Sequence, residues 1–487
     1  MVAPVGRSRK KFYANISYNT IYQKFTLYII EGSVCINMNL PTFLGGVHPP
    51  EGKALTENKA IEILRPEDSK EFIYPLSQHI GAPCSPIVAK GDEVKAGQKI
   101  ADTDAFVSAP IFSAVSGVVK DIAPHMTVAG SIENCIIITS DGKYTPAPSL
   151  LDELGHKPAP SEYVKLIRSA GIVGLGGACF PTHVKLSPPA GKIIKWVIVN
   201  AAECEPYLSC DNRLMIESPD EIIRGLGYVL EIFPEAQGII AIENNKPEAI
   251  KIMTEHNNNS RVQIMPHTVK YPQGAEKMLI WSVTGQEIPV VPALPADVGC
   301  IILNTRTTWQ ICKAIEEGKP LTERVISVTG DAISEPKNLQ VPLGICVREL
   351  TNACGGFKDD PVKILAGGPM MGLAMRSIDV PVVKGTSGIL ALTKKLAYLA
   401  EESACIRCAK CVEACPMHLE PTFLDHAVRR RDYETFEAHS GMNCIECGCC
   451  AYVCPASRHL TQSFKDGKAA VTAARRKAAA KAKQEAK

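Results

Sequence analysis

Two runs of cysteine near the C-terminus carry the plainest chemistry in the chain. The first is Cys405, Cys408, Cys411 and Cys415, followed by Pro416; the second is Cys444, Cys447, Cys450 and Cys454, followed by Pro455. Both read C-x2-C-x2-C-x3-C-P, a ligand spacing for [4Fe–4S] cubes. Three thiolates at i, i+3 and i+6 converge on one cube, while the fourth leaves in a new direction and ligates the other. The expected sets are Cys405, Cys408, Cys411 and Cys454 for one cluster, and Cys444, Cys447, Cys450 and Cys415 for its neighbour. Disulfides suit small secreted domains rather than a chain of this size. Zinc favours two separated pairs over two identical four-cysteine runs. Cys449 falls outside the pattern and is expected as a buried neighbour of a cube. Two cubes so close together serve the passage of single electrons.

A second constellation is the glycine-rich stretch Gly174-Leu175-Gly176-Gly177-Ala178-Cys179-Phe180-Pro181-Thr182-His183-Val184-Lys185. It is not a Rossmann fingerprint. The third glycine position holds Cys179, and the loop follows a helical pattern (161–170) where that fingerprint follows a strand. Its glycines still let backbone approach a flat or phosphorylated ligand and offer N–H donors, and Lys185 can supply a cation. Taken alone, the stretch is equally a plain turn. Further on, a predicted strand runs into Asn200-Ala201-Ala202-Glu203-Cys204-Glu205-Pro206. Polar residues at a strand's C-terminal end sit where α/β domains bind ligands. There Asn200 offers an amide to a heterocycle, and Glu203 and Glu205 offer carboxylates to ribose hydroxyls. Both loops in a chain with two clusters favour a nucleotide-type redox cofactor. No acid–base triad is needed, so His183 is expected to be structural.

The elements that position these residues emerge from patterning. The chain has 487 residues, enough for three or four domains, with 46% hydrophobic residues and a formal net charge of +2. That balance creates no overall field for nucleic acid or anionic lipid. No stretch approaches the ~20 apolar residues of a spanning helix, so membrane association must come through a partner. Residues 1–37 look foreign to the rest of the chain and are expected to be a disordered extension, with Met38 as the true start. Residues 38–150 are β-rich and resemble the barrel–sandwich hybrid of biotinyl and lipoyl carriers. The hairpin at 110–114 has no modifiable lysine, which leaves a docking or structural module. Residues 151–320 alternate helix and strand, with strands expected at 196–199 and 238–242 and a helix at 219–232. Residues 321–390 give a small β-grasp order. Residues 391–465 form a helical two-cluster domain with an amphipathic insert at 420–440. Residues 466–487 form a basic tail, a solvated helix or disordered. The fold class is thus multidomain α/β and α+β.

The glycine loop resembles the G-x-G-G-A-x-F-P-x-x-x-K signature of the flavoprotein subunit of respiratory complex I. Asn200–Pro206 is similar to that family's N-A-D-E-x-E-P motif, with Ala202 in place of Asp. The stretch 271–276 is similar to its Y-x-x-G-E-E, with Ala275 departing, and Asn304-Thr305 resembles its N-N pair. The resemblance implies a Rossmann-like FMN and NADH domain. Its contacts would be Gly174, Gly176, Gly177, Ala178, Phe180, Lys185, Asn200, Glu203, Glu205, Tyr271, Gly274, Glu276, Asn304 and Thr305. The whole order adds the stretch at 43–50, the carrier-like module, a β-grasp (SLBB-like) module and the two cysteine quartets. In that order, residues 38–465 resemble the family of C subunits of Rnf (also called Rsx) ion-translocating electron transport complexes. The resemblance implies a peripheral subunit on the cytoplasmic face of the plasma membrane. It would carry two [4Fe–4S] clusters and FMN, exchange electrons with NAD(H), and hand them to other subunits and indirectly to ferredoxin. Electron flow would be coupled to Na+ or H+ transport, and no nucleic acid is involved. A cluster-relay scaffold with a vestigial nucleotide site, favoured by Ala202 and Ala275, and a soluble diaphorase subunit are the alternatives.

Overall fold

The computed structural model describes residues 25–30, 33–38, 40–66, 70–290, 292–397 and 400–485, with side chains from 40 to 482 of these. The expected extension at 1–37 lies largely outside the described residues. Its described part pairs Phe25–Ile30 with Ser33–Met38 as an antiparallel hairpin.

A four-stranded parallel sheet forms the centre of the α/β unit. Its strands lie in the order Val262–His267, Gln237–Glu243, Trp196–Ala201, Cys300–Asn304. These strands are nearly continuous apolar runs because both faces are covered. Helices Pro219–Ile232 and Thr305–Glu317 bury Leu226, Val229, Leu230, Ile311 and Ile315 on one face. Helix Glu276–Thr284 places Leu279, Ile280 and Val283 on the other. The chain leaves Trp196–Ala201 toward one edge and returns on its opposite side at Cys300–Asn304. Strand order therefore reverses there, and a crevice opens at the carboxyl ends of these two strands. Asn200 and Asn304 are register partners at that point.

The β-grasp sheet has six strands, ordered Leu373–Ala374, Lys363–Ala366, Gly388–Leu392, Glu323–Thr329, Lys337–Pro342, Ile61–Ile63. Its last strand comes from far upstream: Ile61–Ile63 pairs in parallel with Asn338–Gln340. The carrier-like module comes after that strand as two small antiparallel sheets. One holds Glu71–Pro75, Ile132–Ser140, Gly117–Met126 and Glu93–Val94; the other holds Ser85–Pro86, Lys99–Asp102 and Ile111–Phe112. The two modules are not independent. Phe72, Ile111 and Ile138 share one core with Ile326, Leu339 and Ile389, and with Val173 and Leu175 of the glycine loop.

The cluster domain closes around Leu424, Phe436, Leu460 and Phe464, from helices Pro421–Arg429, Tyr433–Ala438 and Leu460–Glu485. The last of these carries the basic tail, so the tail's described part continues a packed helix outward into solvent.

Candidate cofactor sites

The eight cysteines converge on two hollows of near-equal size, about 340 and 330 Å³. Cys405, Cys408, Cys411 and Cys454 line one; Cys415, Cys444, Cys447 and Cys450 line the other, with Cys449 beside them. The fourth cysteine of each run thus faces the hollow of the other run. The backbone repeats as well. Arg407, Ala409 and His418 have positive φ, as do Glu446, Gly448 and Ser457 at the matching places of the second run. These turns bend amide groups inward: Arg407 N–H donates to Cys405 Sγ at 3.4 Å and Glu446 N–H to Cys444 Sγ at 3.3 Å. Burial raises the Cys411 and Cys415 thiols and lifts Cys444 to about 12. Each hollow gathers four sulfur donors, and a positive metal centre holds such a set as thiolates. The donor set, the equal hollows and the inward N–H groups fit a pair of [4Fe–4S] cubes.

The glycine loop sits at the crevice of the parallel sheet. Gly174 N–H bonds the Phe180 carbonyl at 2.8 Å, closing the loop, and Thr307 Oγ1 accepts from Leu175 N–H at 2.8 Å. Between them Gly176, Gly177 and Ala178 are exposed. Their amide N–H groups donate to no protein acceptor among the described residues. Gly177 has φ 133°, and a Cβ there would meet nothing within 4 Å. Three free amides on an open turn form a concave donor surface suited to a phosphate. Beneath the loop, Asn304 caps helix Thr305–Glu317 with Oδ1 and donates Nδ2 to Asp211 at 2.8 Å. Lys185 Nζ donates to Glu276 Oε1 at 2.5 Å and to the Ile302 carbonyl at 3.2 Å. Asn200 Nδ2 donates to the Gly274 carbonyl at 2.7 Å, and Thr305 Oγ1 to the Asn200 carbonyl at 3.4 Å. The crevice therefore gathers Gly174–Phe180, Lys185, Asn200, Gly274, Glu276, Asn304 and Thr305. The exposed Gly176–Ala178 turn and the side-chain amides of Asn200 and Asn304 fit a phosphorylated flavin, and Lys185 is ion-paired to Glu276.

The carboxylates of Glu203 and Glu205 and the hydroxyl of Tyr271, expected as ribose and flavin contacts, are hydrogen-bonded within the protein. The Glu203 carboxylate accepts from Asp211 N–H at 2.6 Å and Asn212 N–H at 3.3 Å, the first turn of helix Cys210–Glu217, with Lys53 Nζ 3.8 Å away. Burial nevertheless pushes the Glu203 carboxyl up, against the opposing pull of Lys53. The Glu205 carboxylate accepts from Met370 N–H at 3.2 Å and Met371 N–H at 2.8 Å in the β-grasp module, and burial pushes its pKa up to about 7. Tyr271 is 2% exposed and donates its hydroxyl to the Cys447 carbonyl at 2.7 Å. It joins Val47, Ala414, Cys447 and Cys449 in one small core. Glu205 and Tyr271 thus tie the flavin-type unit to its neighbours, and Tyr271 touches the loop of the second cube.

Several positioning residues carry no sequence signal. Lys246 Nζ donates to the Ala202 carbonyl at 2.6 Å and Lys53 Nζ to the Glu203 carbonyl at 2.5 Å, so two buried ammonium groups hold the acidic loop. Arg324 donates to the Leu175 carbonyl at 3.0 Å and Lys384 to the Gly171 carbonyl at 2.8 Å, pinning the glycine loop from the β-grasp side. The stretch 43–50 is a strap: Gly46 N–H bonds the Ala414 carbonyl at 3.0 Å and Val47 N–H the Tyr271 carbonyl at 2.8 Å. It spans the seam between the flavin-type unit and the cluster domain. His183 is buried with Nε2 2.8 Å from the Phe106 carbonyl, a structural role.

Fold and sites together define a redox chain in which an FMN-type α/β unit is docked on a two-cluster iron–sulfur unit. Residues 167–313 match the Nuo51 FMN-binding domain, and 397–455 the 4Fe-4S dicluster domain. Residues 41–143 match the RnfC barrel sandwich hybrid domain, and 325–374 the SLBB domain. The chain is 48% identical to the C subunit of the proton-translocating ferredoxin:NAD(+) oxidoreductase complex of Clostridium ljungdahlii, over 79% of this chain and 84% of that one. It is 41% identical to the C subunit of the Na(+)-translocating complex of Acetobacterium woodii, over 91% of this chain and 100% of that one. It is also 41% identical to the C subunit of the ion-translocating oxidoreductase complex of Rhodobacter capsulatus, over 80% and 75%. The chain belongs to this RnfC family of C subunits.

Proposed function

We propose that the chain is the NADH-side subunit of an ion-translocating ferredoxin:NAD+ oxidoreductase complex. It passes electrons between NAD(H) and partner subunits on the cytoplasmic face of the plasma membrane, and ion movement takes place in those partners. No described helix is long and apolar enough to cross a membrane, which agrees with attachment through partners.

When bound, FMN would supply the conversion between a hydride and single electrons that such a chain requires. The residues present supply the rest. The open amides of Gly176, Gly177 and Ala178 would receive the flavin phosphate, and Lys185 would supply a cation on leaving its ion pair with Glu276. Asn200 and Asn304, at the point where strand order reverses, would help to hold the flavin. Tyr271 and the 43–50 strap fix the distance between that crevice and the Cys447 loop, and their buried apolar surroundings keep water from the seam. The observation that carries the reading is the hydrogen bond from Tyr271 to the Cys447 carbonyl. It joins the flavin-type unit to the Cys447 loop, which would make the second cube, held by Cys415, Cys444, Cys447 and Cys450, the one nearer to the flavin.

The test is an anaerobic preparation of the full chain. About one FMN per chain and rapid NADH oxidation with hexacyanoferrate are expected. Cluster-loaded protein that neither binds FMN nor oxidises NADH would instead support a relay scaffold, the reading that the satisfied carboxylates of Glu203 and Glu205 favour.

A further inference from the structure

The two cluster loops are an internal repeat 39 residues apart, and they differ most in what covers them. Cys405 corresponds to Cys444, Ile406 to Ile445, Arg407 to Glu446, Cys408 to Cys447, Ala409 to Gly448 and Lys410 to Cys449. The left-handed residues fall at the same places, so the two loops share one backbone course. The second loop is a docked surface. Ile445 packs against the small core of Val47, Tyr271, Cys447 and Cys449, alongside Met370. The equivalent face of the first loop is bare. Ile406 is 69% exposed, Phe423 nearby is 42% exposed, and Cys408 itself is open to solvent. An isoleucine is apolar wherever it stands; in one repeat it is buried by another domain, and in the other no described residue covers it.

Charge distinguishes the two faces further. Where the covered loop has Glu446 and Cys449, the bare one has Arg407 and Lys410, both exposed. Glu413 lies on the same short helix as Lys410 and is the nearest acid on the loop. The other charges around this hollow are already engaged. Arg458 bonds Asp425 at 2.5 Å, and Arg429 holds Glu402. The rim that faces outward is therefore an apolar centre flanked by Arg407 and Lys410, two cations with no ion-pair partner among the described residues.

We propose that the first loop, 405–410 together with Val412 and Phe423, is the docking face for another redox subunit of the complex. That subunit's one-electron group lies at a surface ringed by carboxylates. The covered twin shows what this loop does when partnered: the isoleucine enters the neighbour's apolar seam, and the cube comes against the adjoining redox unit. Arg407 and Lys410 select an acidic partner and orient it. One electron moves per encounter; the cube is oxidised and the partner's group is reduced, or the reverse, with no bond made and no proton moved. The inference rests on the reading of this chain as a cluster-bearing complex subunit.

The experiment measures binding of the full, cluster-loaded chain to two kinds of membrane. One holds the complex without this subunit, and the other lacks the complex altogether. Wild type should bind the first in a salt-weakened manner and the second far less. Arg407→Glu with Lys410→Glu should weaken binding to the first by about tenfold or more at low salt and flatten the salt dependence. Glutamate stands at the twin position of Arg407 with the same backbone conformation, so R407E preserves the loop, and iron content verifies it. If iron is lost, Arg407→Gln with Lys410→Gln takes its place, and unaltered salt dependence in that pair overturns the proposal. Wild-type affinity in the charge-reversed pair overturns it too, as does equal binding of wild type to membranes without the complex, which would make lipid the occupant. FMN content and NADH oxidation by the isolated chain report on the proposed function separately. If they fail while the binding loss holds, the docking face stands and the flavin reading falls.

Discussion

Tyr271→Phe deletes one oxygen from the seam between the flavin-type unit and the second cube. The ring is 2% exposed and stays packed among Val47, Ala414, Cys447 and Cys449. What disappears is the 2.7 Å bond to the Cys447 carbonyl. A buried acceptor left without its donor is destabilised by about 1–3 kcal/mol. The strap keeps its own bonds from Gly46 and Val47, so the domain does not detach. Instead the population of the undocked state should rise by roughly five- to hundredfold, since about 1.4 kcal/mol is a factor of ten. Hydrogen–deuterium exchange of the holoprotein reads this directly. Amides of 445–448 and of Val47 should exchange faster by that factor, while those of strand Gln237–Glu243, in the sheet core, keep their rates. Stopped-flow reduction by NADH should show slower bleaching of the clusters with flavin reduction unchanged. Equal exchange at 445–448 in variant and wild type would refute the claim that this hydrogen bond holds the two units together.

Three further outcomes are expected at the sites. Cys408→Ser and Cys454→Ser should each lower iron from about eight to about four per chain, and the double variant should lose no more than either alone; additive loss would contradict the crossed ligand sets. Gly177→Ala should destabilise the fold by about 1–3 kcal/mol, because φ 133° is glycine territory, and should weaken FMN affinity by about tenfold or more as the methyl enters the open cradle; fluorescence titration measures it. His267 is buried, with Nδ1 2.9 Å from the Met265 carbonyl, and burial lowers its pKa to about 4. Between about pH 6.5 and 4 the unfolded chain binds a proton that the folded chain does not, so stability falls as pH drops through that window, by about 2 kcal/mol at pH 5. His267→Gln should change the stability difference between about pH 7.5 and 5 by that amount in urea unfolding, leaving the share of the other buried groups, such as His79, in place.

The parts of this molecule that could be read from sequence are those whose chemistry is local. The cysteine quartets announce their ligand sets because three of each four lie within seven residues, and the crossing of Cys415 and Cys454 comes from the repeat. The strands at 196–201 and 237–243 and the helix at 219–232 are visible because apolar periodicity matches burial on a layered α/β core. Glu203, Glu205 and Tyr271 show the limit. Their residue types suit a nucleotide, yet their partners are a helix start, a loop at 370–371 and the Cys447 carbonyl. Lys53 and Lys246, which carry no sequence signal, are buried donors to the acidic loop. Strand Ile61–Ile63 precedes the carrier-like module in the chain and completes the β-grasp sheet. Each of these depends on a neighbour brought in by the fold, and no local pattern encodes it.

The central claim is that a hydride donor on one side of the Tyr271 seam reduces the iron–sulfur cubes on the other. Electron paramagnetic resonance of the anaerobic, FMN-loaded full chain, frozen after addition of NADH, tests it most directly. The account predicts signals of reduced [4Fe–4S] clusters that appear with NADH and are absent from flavin-depleted protein. Clusters that stay oxidised with NADH while dithionite reduces them, in protein holding its full FMN, would contradict it.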